Sequence, residues 1–187
     1  MKKIIMSIIL AVISNIVYSQ AIYQYTRDSV IRTAVGDVYV LRAGDAYLKF
    51  SKANPPFDLL YPATSSNPSI TQNDEGLWDI DYTRYTKPPQ TTISNIVRSN
   101  FAGYLNLLKS AFDNNGQIWI TIRTNSTGVF KNAAITLWAK PSIYRQIPPE
   151  VLCGLLNALD DLQFTIPPEY QCISDHYFHY SVFFKDL

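Results

Sequence analysis

Histidine, cysteine and glycine are scarce in this 187-residue chain: two His, two Cys and seven Gly. So few ligands exclude a four-ligand zinc cluster and a disulfide-dense scaffold, and they argue against a multi-histidine metal centre. Neither Gly-x-Gly-x-x-Gly, nor a P-loop, nor Gly-x-Ser-x-Gly occurs. No nucleotide cradle, nucleophile elbow or other cofactor site is implied. Charge of one sign is also lacking, since 16 Lys+Arg face 15 Asp+Glu for a formal charge of +1. There is no overall field to gather nucleic acid, anionic lipid or a strongly acidic substrate. What the chain has in plenty is apolar and aromatic surface, with 47% hydrophobic residues, 13 Tyr, nine Phe and three Trp. That is enough to bury a core, and it rules out disorder throughout.

The first twenty residues read as a secretory signal peptide. Met1-Lys2-Lys3 precedes the apolar run Ile4 to Ile13, and the more polar Ser14 to Gln20 follows. A membrane-spanning helix needs about 20 mostly apolar residues, whereas Ser7, Ser14 and Asn15 interrupt this stretch. Cleavage is expected near Ser19, Gln20 or Ala21. No Cys stands near the exit, so lipoprotein attachment has no acceptor and no stable membrane anchor remains. The expected address is periplasmic or extracellular. Without Lys2 and Lys3 the chain carries 14 basic and 15 acidic residues.

Residues 21–92 divide into two parts. Val30 to Lys52 alternates, with Gly36-Asp37 and Gly44-Asp45 as turns, and reads as a β-meander in which Tyr39, Leu41 and Tyr47 stay half exposed. Residues 53–92 carry Pro55-Pro56, Pro62, Pro68 and Pro88-Pro89 and read as a long connection with one brief strand, Leu77 to Tyr82. Its rings, Phe57, Tyr61, Trp78, Tyr82 and Tyr85, argue that it drapes over apolar surface instead of running free.

Residues 93–187 read as helix, hairpin, helix, strand. Ile93 to Phe112 repeats apolar residues at helical spacing, with Thr91 or Thr92 as N-cap. Gln117 to Arg123 alternates, a turn holds Gly128, and Val129 to Trp138 is the second strand. Pro148-Pro149-Glu150 starts another helix, with Val151, Leu152, Leu155, Leu159 and Leu162 on one face. Tyr177 to Lys185 closes the chain as a strand with Phe178, Tyr180, Val182 and Phe184 on one side. The fold class expected is α+β.

This order resembles the C-terminal domain of TonB, which packs helices on a small three-stranded antiparallel sheet. The points of likeness are Gly116 to Ile122 before the Gly128 turn, Phe130 to Leu137, the helix around Leu155, Leu162 to Pro167, and Ser181 to Lys185. The Tyr-Ser-Gln leader ending and the chain as a whole are similar to secreted proteins of Bacteroidetes. The resemblance implies an exported envelope protein.

Candidate sites follow from residue type and spacing. His176 and His179 are three apart on a strand, so they face opposite ways and cannot share one ion. Surface or edge positions are expected for both. Cys153 with either His lacks an orienting third group. Cys153 also lies off the Leu face of its helix, which frees it to meet Cys172. A disulfide across 18 intervening residues would stabilise by about 3 kcal/mol. Asp74, Glu75, Asp79 and Asp81 are the carboxylates that a polysaccharide or cell-wall hydrolase would draw on, although a solvated loop carries such residues anyway. The rings are the stronger lead. Alternation places Trp119 and Trp138 opposite the Ile-rich face, and Trp78 and Tyr82 lie in the aromatic connection. These four are the candidate binding residues, unless a further layer covers them as a second core. The reading is therefore a non-enzymatic binding or assembly module that engages an envelope protein partner by a sheet edge or an aromatic patch. Carbohydrate binding and hydrolysis are the alternatives.

Overall fold

Alternation in two separate stretches of chain builds one sheet. The computed structural model describes residues 28–32, 38–53, 63–72, 78, 80–110 and 116–187. The signal-peptide reading, residues 1–20, lies outside them. Three strands come first: β1 Asp28–Arg32, β2 Val38–Ala43 and β3 Tyr47–Lys52. Helices α1 Gln90–Asn100 and α2 Leu105–Ser110 follow, then the hairpin of β4 Gln117–Asn125 and β5 Phe130–Trp138. A short α3, Pro141–Tyr144, precedes α4 Pro149–Ala158, and β6 Asp175–Phe183 ends the sheet. The order is β1-β2-β3-β5-β4-β6, with every neighbour antiparallel.

The α+β class is as expected, but the sheet is not a small one belonging to residues 93–187 alone. β3 pairs with the outer edge of β5, Tyr47 opposite Trp138 and Phe50 opposite Ile135. The meander thus doubles a three-stranded sheet to six and crosses the boundary drawn at residue 92. A hairpin is marginal by itself, and joining a larger sheet lets it share a core. That sharing overturns the expected half-exposure of two residues. Tyr39 and Leu41 are fully buried, and the Tyr39 hydroxyl donates to Asn157 Oδ1 on α4 at 2.9 Å.

The helices lie against one face. That face presents Ile118, Ile120, Ile122, Ile135, Leu137, Leu48 and Phe50, all essentially inaccessible, and each such side chain contributes roughly 1.5–3 kcal/mol of burial. The single helix expected from Ile93 to Phe112 is broken. Pro89 stands at its N-cap, two residues before Thr91. It stops at Phe101, whose N–H bonds Val97 O, and a 3-10 turn at Ala102–Tyr104 redirects the chain into α2. Asn100 and Gly103 are poor helix formers, and Phe101 turns into the core at the break. Against α1 packs α4, close enough that a Cβ on Gly154 would stand 3.0 Å from Asn100 Oδ1.

Crowding of α4 between α1 and the sheet also removes the expected disulfide. The helix buries a broad face of Leu152, Cys153, Leu155 and Leu156, so Cys153 points into the core. Cys172 lies in the loop before β6, where its Sγ meets Glu169 O at 3.4 Å and Ser65 Oγ at 3.7 Å. Both cysteines are thiols. In the connection, the expected strand at Leu77 to Tyr82 reduces, among the described residues, to a bridge between Trp78 and Gln72 and a 3-10 turn at Tyr82–Arg84.

Gly128 fastens the hairpin turn to the segment after α4. Its φ is +91°, and a Cβ there would lie 2.3 Å from Phe164 O. Only glycine meets both demands.

Candidate binding site on the open face of the sheet

No helix among the described residues covers the second face of the central strands. Side chains alternate along a strand, so the residues between the core isoleucines emerge there. In register, Tyr47, Trp138, Gln117 and Phe183 form one row across β3, β5, β4 and β6. Lys49, Thr136, Trp119 and Ser181 form the next. Trp119 is 47% exposed, and Tyr47 and Phe183 are each 38% exposed.

The rings touch. Trp119 packs edge-on against Trp138 with centroids 5.2 Å apart, and Tyr47 lies 5.9 Å from Trp138 on the other side. Trp138 is thereby half-buried, and its indole N–H has no acceptor among the described residues. Lys185 stands over the Phe183 ring at 5.5 Å, and Ser181 Oγ donates to Gln117 Oε1 at 2.8 Å. Rings held by mutual contact lose little entropy when a ligand arrives, and the amide and hydroxyls beside them can orient it.

At the far end of the same face the sheet is locked by charge. Arg123 grips Asp175 with two hydrogen bonds, Nε to Oδ1 at 3.1 Å and Nη2 to Oδ2 at 3.0 Å. A bulge in β5 shifts the register between Arg123 and Thr124, and Lys131 reaches Asp175 Oδ1 at 2.5 Å. Burial opposes ionisation of Asp175, but the bonds from Arg123 and Lys131 outweigh it and hold the carboxyl below its ordinary value.

The four sequence-predicted binding residues separate into two groups. Trp119 and Trp138 are brought together. Tyr82, 52% exposed, instead stacks on Tyr85, which stacks on Tyr170 at 5.6 Å. Trp78 is a half-buried bridge residue in the same connection. No ring contact among the described residues joins the two groups. Tyr47 and Phe183 were not among the candidates. The parity of Tyr177 to Lys185 already set Phe183 opposite the Phe178 side, whereas Tyr47 joins the patch only through the β3–β5 pairing.

His176 corrects another expectation. It is a core residue, 4% exposed, with Nδ1 3.2 Å from the Tyr85 hydroxyl. Burial pushes its pKa down to about 4, against weaker opposing effects of the Tyr170 backbone and Asp175. Burial raises the pKa of Tyr85, with smaller contributions from the charges of Tyr82, Tyr170, Cys172 and Glu169. His179 faces the other way, Nδ1 3.1 Å from Thr121 Oγ1. Its pKa is also lowered, by burial and then by Lys87.

Of the proposed catalytic carboxylates, Asp74, Glu75 and Asp79 lie outside the described residues. Asp81 is exposed and occupied in capping, accepting from Thr83 Oγ1 at 2.6 Å and Thr83 N at 3.0 Å. Those bonds lower its pKa, the opposite of what a general acid needs. A shallow groove of about 430 Å³ beside the Gly128 turn contains the Lys52–Asp160 ion pair. No cluster of three His, Cys, Asp or Glu suited to a metal occurs among the described residues. No helix among them is long and apolar enough to cross a membrane.

The fold has a solved counterpart. A DUF5043 family protein from Bacteroides uniformis aligns over 88% of this chain and 92% of its own, with a TM-score of 0.61 and 13% identity. At that identity the likeness defines the fold, α+β with a six-stranded antiparallel sheet. The source of this neighbour is consistent with the Bacteroidetes resemblance of the sequence. No protein-family model and no curated protein matches the chain.

Proposed function

We propose that this protein is an exported, non-catalytic binding module of the cell envelope that recognises its ligand with the ring patch of Tyr47, Trp119, Trp138 and Phe183. The observation that carries this reading is the exposure of three of those rings on a sheet face that no described helix covers. Exposed aromatic clusters are uncommon on monomers unless they meet something, and rigid rings supply contact area at low entropic cost. Binding by a sheet edge would have to use β1 or β6, the strands with one neighbour each among the described residues, because β3 already occupies the outer edge of β5. Hydrolysis has less support, because Asp81 is committed to its turn.

Tryptophan emission tests the reading. Purified mature protein is titrated with solubilised envelope proteins and, separately, with envelope polysaccharide. A shift that Trp119→Ala abolishes and Trp78→Phe retains is expected. Unchanged emission with both fractions would overturn the proposal.

A further inference from the structure

Resting on that reading, we infer that the ring patch takes an acidic glycan, its rings stacking on sugar faces and its flanking lysines meeting carboxylate or sulfate groups. The argument is charge complementarity. The two rows that form the patch hold four rings, Gln117, Thr136, Ser181 and Lys49, and no carboxylate. Lys49 stands at the β3 end, and Lys185 lies over Phe183 at the β6 end. Exposed Lys140 follows two residues after Trp138. His179, on the next row, is held neutral by its lowered pKa.

Farther along this face the carboxylate of β6 is already paired. Asp175 is sealed by Arg123 and Lys131. Exposed Arg42 is the cross-strand neighbour of Lys49. In a chain with no overall field, Lys49 and Lys185 bring positive charge to the two ends of the ring patch, and local charge acts within about 10 Å at ordinary salt.

Two rival occupants fit less well. Protein interfaces are depleted in lysine and need about 800 Å² per partner with an apolar centre, whereas polar side chains interleave these rings. Single-stranded nucleic acid stacks its bases on open ring faces. Here the rings are inclined to one another by 68° and 58°, which breaks any continuous stacking platform.

Calorimetry with defined probes decides it: hexameric oligogalacturonate, a heparin-derived hexasaccharide, neutral cellohexaose and a thymidine oligonucleotide. Binding of at least one acidic sugar is expected. Trp119→Ala should weaken it by about tenfold or more. Lys49→Gln with Lys185→Gln should weaken it several-fold and flatten its dependence on salt, while Arg98→Gln with Lys109→Gln on the helix layer leaves it unchanged. Circular dichroism melts confirm that each variant is folded. Silence with both acidic sugars, equal binding of cellohexaose, or tighter binding of the oligonucleotide would each overturn the inference. If envelope protein still shifts Trp119 emission while both acidic sugars are silent, the binding-module reading stands and the glycan assignment falls. If nothing perturbs Trp119, both fall.

Discussion

The two faces of the central sheet share the same strands and obey opposite rules. On the helix side Ile118, Ile120 and Ile122 are sealed; one residue away, Trp119 is exposed and Thr121 and Arg123 are only partly covered. One face carries the free energy of folding and the other carries the surface chemistry. A step of one residue along β4 therefore separates stability from recognition, so changes on one face are expected to leave the other nearly untouched.

The sharpest way to break this contrast is on the sealed side. Ile120→Ala should cost about 2–5 kcal/mol in urea unfolding, since the core around it relaxes only partly into the cavity. Gly128→Ala should cost a comparable amount, about 3 kcal/mol or more, because it combines a positive φ with a backbone collision at Phe164. Either variant retaining wild-type stability would mean that the turn or the core is looser than described.

Acid separates the faces by pH window. His176 is held neutral in the fold, with its pKa lowered from 6.5 to about 4. The stability this contributes is fully present above pH 6.5 and is lost as pH falls toward 4, by at most about 3 kcal/mol. Urea midpoints between pH 7 and 4 should fall, and His176→Phe should flatten that slope. Asp175, on the open side, has a folded pKa below its ordinary 3.8. Its contribution is present above that value and is lost only as pH falls through the folded pKa. Asp175→Asn should cost about 1–3 kcal/mol at pH 7, less than a fully buried pair because Lys131 is partly exposed.

The smallest expected effect is the most telling. Trp119→Ala should change stability by less than about 1 kcal/mol, against the several of its neighbour Ile120, while removing ligand-dependent changes in fluorescence. A large loss of stability would make the patch a second core layer instead of a recognition surface.

Much of this plan was legible from periodicity. The strict alternation of Gln117 to Arg123 marks both β4 and its faces, and Pro148-Pro149-Glu150 marks the start of α4. Boundaries were harder to read. The apolar spacing from Ile93 to Phe112 continues straight through the break, because Phe101 and Leu108 are buried on either side of it. Helical period alone cannot report a change of axis. The Leu spacing alone marks a narrow face that leaves Cys153 free to turn outward, whereas a helix packed on two neighbours buries a wider arc. His176 lies in a strand that looks like an edge, and only the rings of Tyr85 and Phe178 around it reveal a core position. Half of the ring patch was legible, since Trp119 and Trp138 share the face opposite the isoleucines; Tyr47 was not, because strand pairing between residues 47 and 138 leaves no local trace.

By itself the sequence determined which side chains share a face, since the two-residue repeat of a strand and the 3.6-residue repeat of a helix are local properties of the backbone. Only the tertiary structure decided what each face meets. Joining β3 to β5 sealed Tyr39, drew Tyr47 to Trp138 and set the rings on the side of the sheet that no helix among the described residues covers, because pairing between distant strands depends on cross-strand register and shared burial that no short window contains.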